Sequence, residues 1–550
     1  MKVSEAIARA VALDSEGAPV FALIGDANLP MIGALDRFTD VKLRFARHEG
    51  AAVAMADGYA QITGGLGLAS VTSGPGLTHA ATSLLASSRM RTPLVILTGD
   101  TPMQRPAGLQ AMQDFDQRRF ADACEIGFQD LRSPASLAED ILSAFHQART
   151  RRMPVLLNAP LDVQAVQLPD GWSYLPAKAH ASPREPGEAA VRRILDIAAA
   201  AKRPLVLAGR GALRAGAAAD LRRFAEAIGA LLGTTLLAKG LFDRDPWNLG
   251  VVGGFSGPAA LELIRDCDAV FAFGAELGHF TSQGGTLMRG RPVVRVDLEP
   301  FPPGFPQALA LAVQAGARET AAALVAALRS AAPRTGVRTA ETRERLAAAP
   351  KEIPPSDAAT KLDPRAVMRE LGPALPRDTR VVIGGGHFWS FPCMYLDVPA
   401  DGAFLCPLGA AAVGQALPFA IGVATGAPGK PVVAVEGDGS LFMNIQEMDT
   451  AARYRLPLAV VVMNDAALTA EVIKLRAEGY NGDLATYPTP DFAAMAKGFG
   501  WTAKTLGGGD RIADVFRDHR WDQGPLLVDA RISREVTISP VAVKDLAFRA

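Results

Sequence analysis

The sequence predicts an α/β protein whose parallel sheets are flanked by helices and divided among three domains. Short β-rich apolar runs alternate with Ala-rich helical stretches along the chain, as expected for strands connected by crossover helices. Four of these apolar runs lie at residues 20–24, 67–71, 94–98 and 154–158. Parallel pairing would place the loops that follow such strands at one edge of a sheet, where ligands bind.

The length of the chain and two breaks in the alternation set the number of domains. At 550 residues the chain exceeds a single compact core, since domains usually hold about 100–200 residues. Stretches rich in Pro and polar residues at 166–188 and 329–364 interrupt the alternation. We therefore expect domains at 1–170, 189–332 and 360–550, the middle one Rossmann-like.

Composition and charge favour a small-molecule substrate. The 57 Lys and Arg residues balance the 57 Asp and Glu residues, so no net field would attract nucleic acid or an anionic membrane. The N-terminus lacks the pattern of a secretion signal, and no uncharged apolar stretch approaches the roughly 20 residues of a membrane-spanning helix. We expect a cytoplasmic protein whose widely spaced cysteines are reduced core thiols.

The most informative segment, residues 431–468, holds two strands with a polar motif after each one. A right-handed crossover between the strands would bring Asp438 and Asp465 together at the carboxyl edge of the sheet. Mg²⁺ prefers oxygen ligands and is usually held by one or two carboxylates together with phosphates. Asp438 and Asp465 are therefore candidate metal ligands.

The residues around Asp438 suit the phosphates of a cofactor. Gly437 and Gly439 let the backbone approach a ligand closely, and Ser440 leads into a helix whose free N–H groups suit a phosphate. A Gly-Asp-Gly turn is common in loops, but this one follows a buried strand, and an Asn-Asp pair follows the next strand. These residues are candidates for binding the cofactor.

The two-part motif resembles that of thiamine-diphosphate enzymes, and nearly the whole chain is similar to the decarboxylase and acetohydroxyacid synthase superfamily. The resemblance implies an N-terminal domain that binds the aminopyrimidine of thiamine diphosphate, a central domain without a catalytic role, and a C-terminal domain that binds the diphosphate and Mg²⁺. It also implies a homodimer or homotetramer with each active site at a subunit interface. Whether the central domain binds flavin is left open.

The metal motif departs from the family pattern at one position. The family usually has Asn-Asn where this chain has Asn464-Asp465, so Asp465 takes the position that ligates Mg²⁺ through an amide oxygen. A carboxylate is also a good Mg²⁺ ligand, although it adds a negative charge near the diphosphate. Ala467 is expected to supply a backbone carbonyl ligand.

By the same resemblance, Glu49 in the segment His48-Glu49-Gly50 matches the glutamate that activates the cofactor. This chemistry needs a buried carboxyl group hydrogen-bonded to N1′ of the aminopyrimidine, which prepares the 4′-nitrogen to remove the thiazolium C2 proton. Without the metal motif, Glu49 would be interpreted as an ordinary surface glutamate beside a histidine.

Four further residues match positions around the cofactor in the family. Gly74 follows a strand as one of the cofactor-binding residues, and Gln113 is expected to face the substrate. Ala411 would offer its carbonyl to the 4′-amino group, and Val413 would take the position of the apolar residue that holds the cofactor in its bent shape. Simple helix packing is the alternative interpretation of the run 409–418.

Two acids bear on the reaction. Asp26 resembles the aspartate that relays protons in pyruvate decarboxylases, and Glu471 resembles their glutamate that assists decarboxylation and protonation. The alternatives are that Asp26 caps a helix and that Glu471 is simply solvated. The adjacent histidine pair of those enzymes is missing; His387 and His79 are candidate replacements, and His387 could instead contact the diphosphate.

The expected reaction is thiamine-diphosphate- and Mg²⁺-dependent, non-oxidative decarboxylation of a 2-oxo acid. Ala470 replaces a bulky aliphatic residue of pyruvate decarboxylases, so an aldehyde or ketone could enter as an acceptor for carboligation. The alternatives are an acetolactate-synthase-type carboligase, a 2-hydroxyacyl-CoA lyase, and a non-catalytic cofactor-binding relative. The lyase should show a basic CoA-phosphate site, and the non-catalytic relative should lack Glu49 or the metal pair.

Overall fold

Three six-stranded sheets organise the chain, and neighbouring strands within each sheet run parallel. The computed structural model describes residues 1–104, 112–176, 184–300, 309–348 and 352–537. Helices connect the strands, which confirms the predicted α/β class with parallel sheets flanked by helices.

The first sheet lies in the N-terminal third. Its strands are β1 (Val20–Ala22), β2 (Leu43–Phe45), β3 (Gly67–Val71), β4 (Leu94–Asp100), β5 (Gly127–Asp130) and β6 (Pro154–Pro160), in the order β2-β1-β3-β4-β6-β5. The accompanying helices are α1 (Val3–Asp14), α2 (Leu29–Phe38), α3 (Glu49–Thr63), α4 (Pro75–His79), α5 (Ala81–Arg89), α6 (Gln117–Ala123), α7 (Leu137–Arg151) and α8 (Leu161–Gln164).

The second sheet occupies the middle of the chain. Its strands are β7 (Pro204–Ala208), β8 (Leu231–Thr234), β9 (Asn248–Val251), β10 (Ala269–Phe273), β11 (Val293–Asp297) and β12 (Leu311–Gln314), in the order β12-β11-β10-β7-β8-β9. The helices are α9 (Glu188–Ala200), α10 (Arg210–Arg214), α11 (Ala218–Ile228), α12 (Pro258–Asp266), α13 (His279–Ser282), α14 (Ala317–Ala327) and α15 (Ala340–Ala347). Helix α15 lies inside the Pro-rich stretch that was expected to separate domains.

The third sheet lies in the C-terminal part. Its strands are β13 (Arg380–Ile383), β14 (Phe404–Leu405), β15 (Val432–Gly437), β16 (Leu458–Asn464), β17 (Thr502–Leu506) and β18 (Leu526–Arg531), in the order β14-β13-β15-β16-β18-β17. The helices are α16 (Pro364–Ala374), α17 (Ser390–Tyr395), α18 (Ala416–Gly426), α19 (Asp438–Phe442), α20 (Glu447–Arg453), α21 (Thr469–Ala477), α22 (Phe492–Gly498) and α23 (Ile512–Asp518). This strand order repeats that of the first sheet.

The first and third sheets share a hydrophobic core through helices α3 and α18. Residues 416–424 of α18 are all buried, as expected for a helix that is apolar on every side. The two helices cross closely: a Cβ at Gly58 would lie 2.1 Å from the Phe419 carbonyl oxygen, and one at Gly422 would lie 1.9 Å from the Met55 carbonyl oxygen. Glycine is therefore required at both crossing points.

Two general expectations can be compared with the structure. The four cysteines are buried and unpaired, as predicted. Among the described helices, none combines the length and the apolar character needed to cross a bilayer.

Candidate active site

The carboxyl edge of the third sheet brings together the two halves of the Asp motif. Gly437 at the end of β15 pairs with Met463 in β16, so Asp438 and Asp465 leave adjacent strands at the same level. Both side chains are buried. The expected proximity of the two carboxylates follows from this parallel register.

Burial and mutual repulsion dominate the electrostatics of this pair. Burial, together with the charge of Asp465, raises the pKa of Asp438 to about 7. Burial also raises the pKa of Asp465, while a 2.5 Å hydrogen bond from the Thr469 hydroxyl and the charge of Arg534 act against this rise. Asp438 Oδ2 is buried and accepts no hydrogen bond among the described residues. A divalent cation would satisfy this oxygen and relieve the repulsion.

Two features that line the same edge complete the fit to a metal ion. A Cβ at Gly439 would lie 2.5 Å from the Tyr487 hydroxyl, so a larger residue at position 439 would collide with this hydroxyl. Burial, together with the charges of Asp438 and Asp465, raises the pKa of Tyr487. The Ala467 carbonyl accepts no hydrogen bond from the described residues, so it is available as the third predicted ligand. Tyr487 was not predicted, because its distance along the chain from Asp438 gives no pattern.

The loop that carries Val413 is fastened to the motif around Asp438. The Ser440 hydroxyl donates to buried Glu436 and accepts the Gly414 N–H at 2.9 Å. The Asn444 amide donates to the Gly414 carbonyl at 2.7 Å. Half-buried Val413 is thereby held beside the start of α19.

The run 409–418 is mostly a loop, so simple helix packing was the wrong alternative. Residues 409–415 are not helical, and α18 begins only at Ala416. Ala411 is exposed and has a φ of 52° in the left-handed region. A non-glycine residue in that region costs on the order of 1 kcal/mol and is typical of functional sites.

His387 lies in a glycine-rich turn after β13 and is buried, with its ring edge-on to Phe391 at 5.5 Å between centroids. Burial lowers the pKa of His387 to about 4, so the imidazole is neutral at neutral pH. A neutral, buried ring is poorly suited to balance the charge of a diphosphate.

Glu471 lies in the first turn of α21, six positions after Asp465 in the sequence. Its side chain is exposed and forms an ion pair with Lys474 at 2.9 Å. In a single chain Glu471 is therefore solvated, as the alternative interpretation supposed, and neighbouring Ala470 is half-buried.

The carboxyl edge of the first sheet carries Glu49 at the start of α3. His79 at the end of α4 places Nδ1 3.1 Å from Glu49 Oε2. His48 caps α3 by accepting the Gly50 N–H on Nδ1 at 3.1 Å, and its ring stacks on that of His79 with 5.2 Å between centroids. Glu49 is thus not an ordinary surface glutamate, since only 13% of its side chain is exposed.

The segment before Glu49 is held by α20 of the third sheet. The buried Glu447 carboxylate accepts the Arg47 N–H at 3.0 Å, and the Tyr454 hydroxyl accepts the Phe45 N–H at 2.7 Å. Arg47 also pairs with Asp449 at 2.7 Å. Burial raises the pKa of Glu447 to about 7. The sequence analysis missed Glu447, and the only available signal was its place between the two halves of the Asp motif.

Asp26 lies in an exposed position on a loop that is otherwise fixed. Buried Asn28 accepts the Gly25 N–H at 2.8 Å and donates to Ser70 at 3.0 Å, and the Thr72 hydroxyl accepts the Ala27 N–H at 3.1 Å. The N-cap residue of α2 is Asn28, so the interpretation of Asp26 as a helix cap is wrong. Its carboxyl group is left at the same sheet edge as Glu49.

Gly74 and Gln113 lie together near this edge. The Ser73 hydroxyl donates to Gln113 Oε1 at 3.1 Å. A Cβ at Gly74, whose φ is 62°, would lie 2.9 Å from the Gln113 Cβ. The predicted site residues thus lie at the carboxyl edges of two different sheets, and among the described residues no hydrogen bond or ion pair joins Glu49 or Asp26 to Asp438.

Comparison with known proteins gives the class of this fold and site. Three models of thiamine pyrophosphate enzymes match the chain: the N-terminal TPP binding domain at residues 1–120, the central domain at 191–324 and the C-terminal TPP binding domain at 384–530. All three models describe domains of the same class of enzyme, so the chain is a thiamine pyrophosphate enzyme.

Individual relatives show which thiamine pyrophosphate enzymes this chain resembles. The acetolactate synthase large subunit of Parasynechococcus marenigrum is 31% identical to this chain, and the alignment covers 88% of this chain and 79% of the relative's length. A probable 2-ketoarginine decarboxylase of Pseudomonas aeruginosa is 29% identical over 88% of this chain and 86% of its own. The chain belongs to the superfamily of thiamine-diphosphate-dependent decarboxylases and acetolactate synthases.

A solved structure has the same fold. The thiamine diphosphate-dependent 4-hydroxybenzoylformate decarboxylase of Rhodococcus jostii RHA1 aligns with a TM-score of 0.83, covering 97% of this chain and 99% of its own. Its sequence identity is 20%, so the likeness concerns the fold.

Proposed function

We propose that this enzyme decarboxylates a 2-oxo acid without oxidation, using thiamine diphosphate and Mg²⁺. The observation that carries the proposal is the exposed Asp26 carboxyl group, which a fixed loop holds at the same sheet edge as Glu49. A positioned acid is what protonation of a decarboxylated product requires. The 2-ketoarginine decarboxylase relative supports the same reaction type.

The cofactor fits the third sheet through its cation and diphosphate. Asp438, Asp465 and the Ala467 carbonyl would hold Mg²⁺, because the two buried carboxylates leave adjacent strands at the same level and Asp438 Oδ2 accepts no hydrogen bond from the described residues. The backbone of Gly437, Gly439 and Ser440 would face the diphosphate. Thiamine diphosphate, when bound, would supply a nucleophilic carbon and an electron sink for the electron pair that remains when CO₂ departs.

The remaining residues would orient the thiamine end. Glu49 would hydrogen-bond to the aminopyrimidine, the Ala411 carbonyl would accept its amino group, and Val413 would support the bend between the rings. Gln113 would contact the substrate carboxylate. His387 would act only as a neutral group, because burial keeps its pKa near 4.

A complete site requires a second copy of the chain. Glu49 and Asp438 lie at the edges of different sheets, and no described hydrogen bond or ion pair joins them within one chain. We therefore propose a homodimer or homotetramer in which each site joins the first sheet of one copy to the third sheet of another. Large apolar side chains are exposed beside both edges, which supports their burial in such an interface. These side chains are Ile24, Leu29, Met443 and Leu468.

Acetolactate-type carboligation is the second candidate. The acetolactate synthase relatives favour it, and the small side chain of Ala470 would leave space beside Glu471 for a second carbonyl compound. The two reactions share the loss of CO₂ and differ in whether a proton or a carbonyl carbon is then taken up. Product identification therefore separates them.

A group of arginines brings acyl-CoA substrates into the same test. The pKa of Arg210 is lowered by burial and then by the neighbouring charges of Arg152 and Arg91. Burial, together with Arg210 and Arg152, lowers the pKa of Arg214 to about 9. The charges of Glu276 and Asp57 oppose this lowering at Arg210, and Arg91 pairs with Glu299 at 3.4 Å. Carboxylates of the chain therefore already face these arginines, and the CoA-lyase alternative is tested by turnover alone.

The test is CO₂ release and product identification with thiamine diphosphate and Mg²⁺. The panel contains pyruvate, an aromatic 2-oxo acid, a guanidino 2-oxo acid, mixtures with an aldehyde, and a 2-hydroxyacyl-CoA. An aldehyde product that is lost in Glu49→Gln supports decarboxylation, and an acetohydroxyacid supports carboligation. Turnover of the acyl-CoA alone would overturn both candidates.

A further inference from the structure

His79 makes a contact with Glu49 that the proposed reaction does not yet use. Nδ1 of His79 lies 3.1 Å from Glu49 Oε2, and the two residues come from different helices, α4 and α3. The Glu49 side chain is 13% exposed, whereas that of His79 is 56% exposed. The carboxylate is therefore held from its solvent side by an imidazole.

The surrounding hydrogen bonds assign the protons. His48 Nδ1 accepts the Gly50 N–H, so it carries no proton, and burial lowers the pKa of His48. His48 is thus neutral with its proton on Nε2. When Glu49 is ionised, the Nδ1 of His79 must carry the proton in their shared hydrogen bond. Glu447, behind this segment, accepts the backbone N–H of Arg47, and the backbone of His48 also hydrogen-bonds to it.

The second carboxyl oxygen has a different environment. Oε1 lies 3.3 Å from the position that a Cβ at Gly76 would occupy. A side chain at Gly76 would also meet the Thr72 methyl group at 2.6 Å, so this side of the carboxyl group is kept clear. One oxygen is committed to His79, and the other is left for a ligand.

We propose that His79 is a positioning residue that holds Glu49 through Oε2, so that Oε1 meets the pyrimidine nitrogen of thiamine diphosphate. The inference rests on the proposed function. A free carboxylate rotates about its last bond, and a hydrogen bond to one oxygen removes that freedom. The Nδ1–H of His79 also stabilises the Glu49 anion by donating a hydrogen bond to it.

The test compares His79→Phe and His79→Asn with the wild-type holoenzyme. Phe keeps a ring beside His48 but offers no hydrogen bond, whereas the Asn amide can donate from near the position of Nδ1 and does not titrate. The first readout is exchange of the C2 proton of bound thiamine diphosphate for deuterium, which needs no substrate. The second is the affinity for thiamine diphosphate with Mg²⁺ between pH 5.5 and 8.

His79→Phe should slow C2 exchange about 10- to 100-fold, the range expected from the loss of one hydrogen bond to a charged group. His79→Asn should restore most of this rate, because its amide can donate the same hydrogen bond. The control is Thr78→Val, which changes the neighbouring exposed residue and should leave exchange within about twofold of the wild type. All variants should bind the cofactor and unfold at similar temperatures.

Three results would overturn the inference, and they are distinguishable. If His79→Phe binds cofactor and exchanges at the wild-type rate, His79 has no positioning role, while the proposed function stands. If the wild type binds no thiamine diphosphate or shows no C2 exchange, the proposed function fails and the role of His79 fails with it. Equal slowing in the Phe and Asn variants would also refute the hydrogen-bond argument.

Discussion

The first and third sheets have the same strand order, yet their carboxyl edges carry different groups. After the third strand in sequence of each sheet, the first sheet has Gly74 where the third sheet has the motif of Asp438. After the second strand, the first sheet presents Glu49, whereas the third presents the neutral loop with Val413. The comparison teaches that sheet topology creates the edge and that loop residues decide its chemistry.

The two edges also differ in the charged or polar group that lies next to the acidic side chain. Asp438 lies against a second carboxylate, and burial raises its pKa to about 7, so this edge is suited to a cation. Glu49 instead lies against the imidazole of His79, a partner that can donate a proton. The proposed function therefore assigns cation binding to the edge of Asp438 and proton sharing to the edge of Glu49.

The largest expected effect comes from the proton-sharing edge. Glu49→Gln should lower CO₂ release by about 100- to 10,000-fold, because an amide cannot share a proton with the pyrimidine. Cofactor affinity, measured by calorimetry with Mg²⁺, should change much less. The control is Glu5→Gln in α1. A variant that loses cofactor binding but not turnover per bound cofactor would contradict the assigned difference between the edges.

The cation-binding edge should show the opposite response. Asp438→Ala should weaken Mg²⁺-dependent thiamine diphosphate binding by about 100-fold, since a carboxylate ligand is lost from a buried site. Asp465→Asn keeps an oxygen ligand and should therefore lose less affinity. Calorimetric titration of apoprotein measures both. Equal losses in the two variants would show that the charge of Asp465, rather than its oxygen, matters.

The contact between the first and third sheets, where α3 crosses α18, can be disturbed without changing a residue at either carboxyl edge. Gly58→Ala should destabilise the protein by about 1–3 kcal/mol, because the new methyl group would meet the Phe419 carbonyl oxygen. The matched control is Gly33→Ala in α2, where a Cβ meets nothing within 4 Å. That change should be neutral or stabilising by up to about 1 kcal/mol. Denaturant unfolding measures both, and similar values would argue against a close helix crossing.

The smallest effect concerns the link between the regions at Glu447. Its folded-state pKa is raised to about 7 from 4.5, so its favourable contribution is complete below pH 4.5 and is lost as the pH rises towards 7. The stability of the wild type relative to Glu447→Gln should therefore fall by on the order of 1 kcal/mol over this range. Chemical unfolding at several pH values tests this. A difference that rises with pH would have the wrong sign.

Much of the fold and part of the site follow from sequence. The parallel sheets follow from alternating elements, and the proximity of Asp438 to Asp465 follows from a crossover of the usual hand. No sequence pattern indicated Glu447 or Tyr487. The sequence indicated His79 as a candidate but did not identify Glu49 as its partner. Their contacts join segments far apart in sequence, and no periodicity or spacing encodes such contacts.

The sequence by itself determined which strands are buried, which loops carry carboxylates, and at which edge of a sheet those loops emerge. These properties depend on local periodicity and on the handedness of crossovers. Only the tertiary structure decided that His79 faces Glu49, that Glu447 holds the segment before it, and that Asp26 caps no helix. Side-chain partners depend on how helices from different sheets pack together, and that packing is a property of the whole chain.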